Sequence, residues 1–256
     1  MQSRFPSRVL PYVLLAPSVL IVLVFLIIPS IQSLYLSFFQ TSPFGDRRIY
    51  VGLRNFTRLF ASSEYMNSFV VSFLAAAFVV VVGLLISLLF AVLANQRIRG
   101  INIYRTLLIW PYALSPAVAG TIWALLWHPS AGFLPHLIQV AGGPSLNWMT
   151  SGNLALLVVS LAATWKMLGY NVIFFLAALQ AVPSDLEEAA AVDGATPFRR
   201  FFHITLPFIS PTAFFLLIMN SLYAFFEIFG LIDMMTRGGP GRATDEIGRA
   251  SCRERV

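Results

Sequence analysis

The sequence predicts an all-α, polytopic membrane protein. Of its 256 residues, 58% are hydrophobic and 11% are charged, which is too little polar surface for a soluble domain of this length. Several apolar stretches exceed the roughly 20 residues that a helix needs to cross a hydrocarbon core about 30 Å thick. The short alternating strands of a membrane β-barrel are missing from the sequence.

Five stretches have the length and composition of membrane spans. Prolines interrupt the first and third stretches, and Pro111 and Pro116 are expected to kink the third. Such prolines are tolerated because neighbouring helices can bond the freed carbonyls. A polar loop at residues 40–68 carries a short amphipathic segment that is expected to lie on the membrane surface. The spans are predicted near residues 10–39, 69–94, 106–127, 154–182 and 208–230.

The net charge of +6 comes from 16 arginines and one lysine. The arginines lie mainly beside apolar spans, where they set topology and meet lipid headgroups, so we expect membrane lipid and no nucleic acid as a partner. Arginine counting gives seven on one side and six on the other, and does not settle the orientation. No residues form a nucleophile–base pair, the histidines lack ligand spacing and Cys252 is the only cysteine. We therefore expect no catalytic residues and no metal site.

The last residues, "EIGRASCRERV", are basic and have no apolar period. They resemble a translated sequencing adapter, and residues 246–256 are therefore predicted to be non-native. The alternative is a short natural polar tail. The native membrane domain is expected to cover residues 1–245.

A polar loop between the fourth and fifth spans, residues 183–207, contains "EEAAAVDGATPFRRFFHITLP". Ser184 and Glu187 have the spacing of a capping box that begins a helix. Gly194 is expected to end that helix in the left-handed region, and Thr196 with Pro197 to begin a second one that runs to Pro207. The loop is therefore predicted to be two helical segments around a glycine bend. The alternative is a hairpin that only joins two spans.

This loop also carries the pattern E-A-A, three residues, G, nine residues, I-x-L-P. The pattern resembles the signature loop of the permease subunits of binding-protein-dependent ABC importers. The segments "VGLRNF", "WPYALSPAVAG", "YAFFEIFGLID" and "TRGGP" resemble the carbohydrate and glycerol-3-phosphate type of that family. The matching positions, which the resemblance assigns to ATPase coupling, are Glu188, Ala189, Ala190, Gly194, Ile204, Leu206 and Pro207.

The resemblance implies the permease fold of type I ABC importers, with about five of the family's six spans present and a C-terminal truncation. It implies a second permease subunit, a dimer of ATPase subunits that bind ATP and Mg²⁺, and an extracytoplasmic solute-binding protein. This chain has no G-x-x-x-x-G-K-[ST] loop of its own and is expected to bind no cofactor.

The same resemblance implies that this chain is a multi-pass protein of the bacterial inner membrane. It also implies that the loop and the N-terminus lie on the cytoplasmic side. The implied solute is a sugar or sugar-like molecule, with sn-glycerol-3-phosphate favoured and an oligosaccharide or other carbohydrate as the alternative. A non-transporting membrane scaffold is the alternative from another class.

Polar side chains within the spans are candidates for the substrate path, because an intramembrane charge is costly and usually functional. The only lysine, Lys166, lies well inside the fourth span, and Glu227 lies in the fifth. An ion pair between the two, or snorkelling of the lysine to the interface, is the structural alternative. The predicted path residues are Lys166, Tyr170, Asn171, Asn220, Tyr223 and Glu227.

Overall fold

The computed structural model describes residues 9–41, 48–96 and 100–248, and these residues are mostly helical. The all-α fold class is confirmed. The chain divides after Ser63 into two compact units. The first unit contains helix α1 (Leu10–Leu36), strands β1 (Phe39–Thr41) and β2 (Arg48–Tyr50), and helix α2 (Arg54–Ala61).

The first unit follows its sequence signals with one addition. Helix α1 continues through its prolines by way of a π turn at Leu23–Ile27. Strands β1 and β2 form an antiparallel pair that was not predicted. The amphipathic segment of the loop is helix α2, and the side-chain amide of Asn55 donates hydrogen bonds to the carbonyls of Ser37 (2.8 Å) and Phe39 (3.1 Å). These bonds fix α2 to the chain that leaves α1.

The second unit consists of eight helices in its described part. The longest begins at Ser63, six residues before the predicted start of the second span. A short helix in the Pro- and Gly-rich connection after residue 127 was not predicted. The helices are α3 (Ser63–Ala94), α4 (Ile101–Ile109), α5 (Pro116–Leu126), α6 (Phe133–Val140), α7 (Gly152–Gln180), α8 (Ser184–Val192), α9 (Pro197–Glu227) and α10 (Phe229–Met235).

Helix α7 is the central element of this unit and contributes to both of its hydrophobic clusters. Its first half packs small side chains such as Ala155 and Ala162 against α5 and α10. Its second half packs Phe175 and Leu179 with residues of α3 and α9. Small residues allow helices to approach closely in a membrane, where packing rather than water exclusion drives association.

The predicted third span is a broken pair of helices rather than one kinked helix. Helices α4 and α5 meet at 106° across a 3-10 turn at Trp110–Ala113. The cause of this break is local. Pro116 is favoured at the first position of a helix and therefore begins α5. Ser115 caps that start, because its Oγ accepts a hydrogen bond from the Val118 N–H (3.3 Å). The described residues therefore contain four helices long and apolar enough to span, or five if the bent pair counts as one.

The break that was predicted at Pro207 does not occur. Helix α9 is continuous from Pro197 to Glu227, so the second segment of the polar loop is the first part of the fifth span. A π turn at Phe201–Thr205 precedes the proline, and the Leu206 N–H bonds to the Phe201 carbonyl. Proline lacks an N–H and its ring clashes with the carbonyl four residues before it, and the wider π turn makes room for that ring.

The C-terminal residues that the structure describes pack against α3. Glu246 is buried, and the Ile247 N–H donates to Ser72 Oγ (3.0 Å). Residues 249–256 lie outside the described residues. The division of the chain at residue 245, with a non-native tail, stays a prediction.

Candidate functional site

The first candidate site is the loop formed by α8, Gly194 and the start of α9. Its predicted capping box is wrong. Pro183 occupies the N-cap position and no side chain caps the helix, so Ser184 lies one residue too far into the first turn to reach the free amides. The Ser184 hydroxyl donates instead to the Asp185 carboxylate (3.3 Å).

The bend at Gly194 is confirmed as a C-terminal cap. The Ala195 N–H donates to the Ala190 carbonyl (2.9 Å), and the Gly194 N–H donates to the Ala191 carbonyl (3.1 Å). This is a Schellman motif, in which the residue after the C-cap adopts the left-handed conformation. Gly194 has φ +79°, which a residue without a Cβ adopts without strain.

The start of α9 is also as predicted. Thr196 is the N-cap, and its Oγ1 accepts a hydrogen bond from the Arg199 N–H (3.3 Å). Pro197 is the first helical residue, where its missing N–H is not needed.

Two side chains join the arms of the loop. Thr205 Oγ1 donates to Glu187 Oε1 (3.1 Å), and Arg200 Nη1 donates to the Glu187 carbonyl (3.3 Å). The carboxylate that was expected to cap α8 therefore connects α8 to the π turn of α9. A cleft behind the loop is lined by residues of α3, α7, α8 and α9: Val92, Asn95, Leu179, Glu187, Pro197, Arg200, Phe201 and Thr205. The loop is thus a cross-linked unit continuous with a membrane helix.

The seven predicted coupling residues divide into two groups. Glu188, Ala189, Gly194 and Pro207 are exposed, whereas Ala190, Ile204 and Leu206 are half-buried. Leu206 packs against the cluster that contains α3 and α7. The exposed group therefore offers contact to another molecule, and the half-buried group fixes the loop to its own chain.

The two most exposed of the large apolar side chains in this loop were missed by the sequence analysis. Val192 is 88% exposed and Phe198 is 74% exposed, and they lie on either side of the Gly194 bend. Exposed apolar groups that cluster on a polar loop are typical of a protein–protein contact. The signal that could have found them is a large apolar residue on each side of Gly194, where the neighbouring residues are mostly small or charged.

The second candidate site surrounds Lys166 in α7. This lysine is only 5% exposed, and its Nζ lies 5.3 Å from the ring centroid of Tyr112 and 5.6 Å from that of Tyr223. In the described part of the chain it has no hydrogen bond and no ion pair, and Glu227 is exposed. The predicted Lys166–Glu227 ion pair is therefore not formed, although Glu227 acts on Lys166 electrostatically. Snorkelling of the lysine stays an alternative.

The energy balance of this lysine is unfavourable without a further partner. Removing an ammonium from water costs several kcal/mol even after relaxation. A cation–π contact returns about 0.5–2 kcal/mol. The two tyrosine rings therefore offset only part of the cost of burying Lys166.

The structure separates Asn171 and Asn220 from the other predicted path residues, because the two amides bond to each other. Asn171 Nδ2 donates to Asn220 Oδ1 (2.9 Å), and Asn220 Nδ2 donates to Asn171 Oδ1 (2.7 Å). Asn220 Nδ2 also donates to the Leu216 carbonyl (2.7 Å), and both side chains are fully buried. Tyr170 stacks on Tyr112, with 5.1 Å between ring centroids.

Glycine brings α7 close to the break between α4 and α5. A Cβ at Gly169 would lie 2.5 Å from the Leu108 carbonyl oxygen and 2.8 Å from Ile109 Cα. This close approach places Lys166, one turn earlier on α7, beside the 3-10 turn that carries Tyr112.

Long apolar helices, an exposed helical loop and a buried cation beside irregular turns are features of a membrane-embedded transport protein. Residues 111–249 match the family described as "Binding-protein-dependent transport system inner membrane component". The chain therefore belongs to this family of ABC importer permeases and is a multi-pass component of an inner membrane.

Relatives with assigned names agree with the family. The chain is 46% identical over 243 residues to the sn-glycerol-3-phosphate transport system permease protein UgpA of Escherichia coli O157:H7, covering 95% of this chain and 82% of that protein. It is 42% identical over 245 residues to UgpA of Rhizobium meliloti (strain 1021), covering 95% and 83%.

A solved structure confirms the fold. It is a bacterial ABC transporter involved in the import of the acidic polysaccharide alginate. One of its chains superposes with a TM-score of 0.80 at 24% identity, over 95% of this chain and 83% of that chain.

Proposed function

We propose that this chain forms half of the translocation path of an ATP-driven importer whose solute is sn-glycerol-3-phosphate. The choice of solute is supported by the 42–46% identity to permeases of sn-glycerol-3-phosphate transport systems over 95% of the chain. The buried cation at Lys166 supports a negatively charged solute, because a neutral sugar would leave that charge uncompensated.

The exposed loop supports coupling to a separate ATPase subunit that binds ATP and Mg²⁺. Ala189 and Gly194 present a small and smooth surface, Glu188 adds an exposed carboxylate, and Val192 and Phe198 add exposed apolar area beside it. Because the loop is continuous with α9 and joined to it through Glu187, a displacement of the loop moves the membrane helix as well. Closure of the ATPase would thus tilt α9 and open the path on the other side.

The orientation and the remaining partners belong to the same proposal. The loop lies on the cytoplasmic side, which places the N-terminus in the cytoplasm. A second permease subunit completes the path. An extracytoplasmic solute-binding protein delivers the solute, and its existence is supported by a related transporter that was solved in complex with an alginate pentasaccharide-bound periplasmic protein.

The test of this proposal is uptake by the reconstituted importer. The full-length gene product is placed in proteoliposomes with its second permease and ATPase subunits, and with the binding protein on the outer side. We expect labelled sn-glycerol-3-phosphate to accumulate with ATP inside, and maltose-like sugars not to accumulate. Accumulation of a sugar instead would move the chain to the carbohydrate alternative, and a lack of any solute-stimulated ATP hydrolysis would favour a scaffold.

Coupling is tested by two variants and a matched control. Glu188→Lys and Gly194→Asp should abolish uptake while the subunit still inserts, because each changes an exposed part of the loop. Phe133→Ser is the control, since Phe133 is also exposed (64%) but lies on α6, outside the loop. Normal uptake by both loop variants would remove the loop from the coupling mechanism.

A further inference from the structure

Two buried polar residues lie beside each other in the described part of the second unit, with the Lys166 ammonium over the ring of Tyr223. Lys166 is 5% exposed and Tyr223 is 4% exposed. The Tyr223 hydroxyl has no hydrogen bond, and the Lys166 ammonium has only the faces of two tyrosine rings. Buried donors are normally satisfied, so the unbonded Tyr223 hydroxyl beside an ammonium without a hydrogen bond indicates a ligand that accepts hydrogen bonds.

The backbone around these groups is irregular on two sides. Tyr112 lies in the 3-10 turn between α4 and α5, and Tyr223 is the first residue of a π turn within α9. Non-helical backbone at membrane depth is tolerated where it is buried in protein or lines a cavity. Single π turns within helices occur frequently at functional sites. Lys166 of α7 therefore lies between two irregular segments, the 3-10 turn and the π turn.

We propose that Lys166 and Tyr223 form an anion site within the path, which binds the phosphate of a phosphate monoester during transport. The ammonium supplies the opposite charge, and the Tyr223 hydroxyl donates to a phosphate oxygen. The ring of Tyr112 holds the ammonium from the other side. Both donors are buried in this arrangement, so the site is closed here and opens as the helices move in a transport cycle. This inference rests on the proposed function.

The alternative occupant within the chain is Glu227, one turn after Tyr223. Its side chain is exposed and forms no ion pair with Lys166. Asn171 and Asn220 are also unavailable to compensate the lysine, since their amides are bonded to each other. Glu227 acts on the Lys166 charge, and Glu227 and the buried Glu246 act on the Tyr223 hydroxyl, only through space and without an ion pair to Lys166. The described residues therefore offer Lys166 no anion in contact, and a charged solute is the partner that fits.

The test uses the complete reconstituted importer and compares three variants with wild type. Lys166→Met removes the charge and keeps the length of the side chain, and it should lower the rate of sn-glycerol-3-phosphate uptake by about tenfold or more. Lys166→Arg keeps the charge and should stay within about threefold of wild type. Tyr223→Phe removes only the hydroxyl, and we expect about a fivefold loss.

A matched control removes a buried hydroxyl from α7, the helix that carries Lys166. Thr164 is 3% exposed and donates its hydroxyl to the Ser160 carbonyl (2.8 Å), so Thr164→Val should leave uptake unchanged. Two readouts separate a site from a structural role. Lys166→Met should melt no lower than wild type, because it removes an uncompensated buried charge, and its ATPase should still be stimulated by loaded binding protein.

The outcomes separate this site from the proposed function. If wild type takes up no sn-glycerol-3-phosphate, the proposed solute is wrong. If wild type takes it up and Lys166→Met does so at the same rate, the anion site is wrong while the function stands. An equal loss in Lys166→Met and Lys166→Arg, with lowered melting temperatures, would assign the lysine to packing and would also overturn the site.

Discussion

The reciprocal amide pair between α7 and α9 gives a prediction whose size follows from its hydrogen bonds. Replacing Asn171 with Leu removes two side-chain bonds, of 2.9 and 2.7 Å, and leaves the buried Asn220 with a bond to the Leu216 carbonyl only. A buried polar group that loses its partner costs about 1–3 kcal/mol. Measured hydrogen bonds between membrane helices average about 0.6 kcal/mol and reach about 1.7. We therefore expect Asn171→Leu to destabilise the chain by about 2 kcal/mol.

The double variant Asn171→Leu, Asn220→Leu should recover most of that loss, because neither amide is then left unsatisfied. The assay is reversible unfolding in mixed micelles of the wild type, both single variants and the double variant. We expect a coupling energy of about 1–2 kcal/mol from this cycle. A coupling within about 0.3 kcal/mol of zero would refute the pairing. The double variant should also retain uptake, because mutually bonded amides are not solute ligands.

Three further substitutions test the loop and the close approach of α7 to α4. Gly194→Ala should lower the free energy of unfolding by about 1–2 kcal/mol, because φ is +79° at this residue. An added Cβ would meet no atom within 4 Å, so a steric clash is excluded as the cause. Thermal unfolding measures the effect, and Gly194→Asn is the milder control. Gly169→Val should lower the melting temperature strongly, since its Cβ would lie 2.5 Å from the Leu108 carbonyl oxygen. Thr205→Val removes the hydrogen bond to Glu187 and should lower the free energy of unfolding by about 1 kcal/mol. It should also weaken the stimulation of ATP hydrolysis by loaded binding protein. Unchanged unfolding in the first two, or unchanged stimulation in the third, would contradict these expectations.

The sequence predicted those features that local chemistry decides. Gly194 ends α8 because a residue without a Cβ adopts the left-handed conformation there without strain. Thr196 begins the next helix as its N-cap, and Pro197 follows as the first helical residue. Glu187 misled the prediction, because its capping role depended on Ser184 preceding the helix. Pro183 took that position, and Thr205, 18 residues away, became the partner of the carboxylate.

Features that depend on distant contacts could not be predicted. Asn171 and Asn220 read as separate polar residues of a path, and only the packing of α7 on α9 pairs them across 49 residues. The continuity of α9 through Pro207 depends on a π turn for which the sequence shows no distinct pattern. Lys166 was identified because a charged side chain is energetically costly within a membrane. That it forms no ion pair could not be predicted, because this depends on where Glu227 lies in space.

We propose that the loop after α8 receives the movement of a nucleotide-hydrolysing subunit. Cross-linking tests it most directly, in a Cys252→Ser background that removes the only cysteine. Val192→Cys places a thiol at the exposed tip of the loop, and Val140→Cys, on α6 and 72% exposed, is the control. We expect Val192→Cys to be trapped with the ATPase subunit, with a yield that changes when ATP is added, and Val140→Cys not to be trapped. Trapping of the ATPase from residue 140 and never from residue 192 would show that this loop is not the contact with the ATPase.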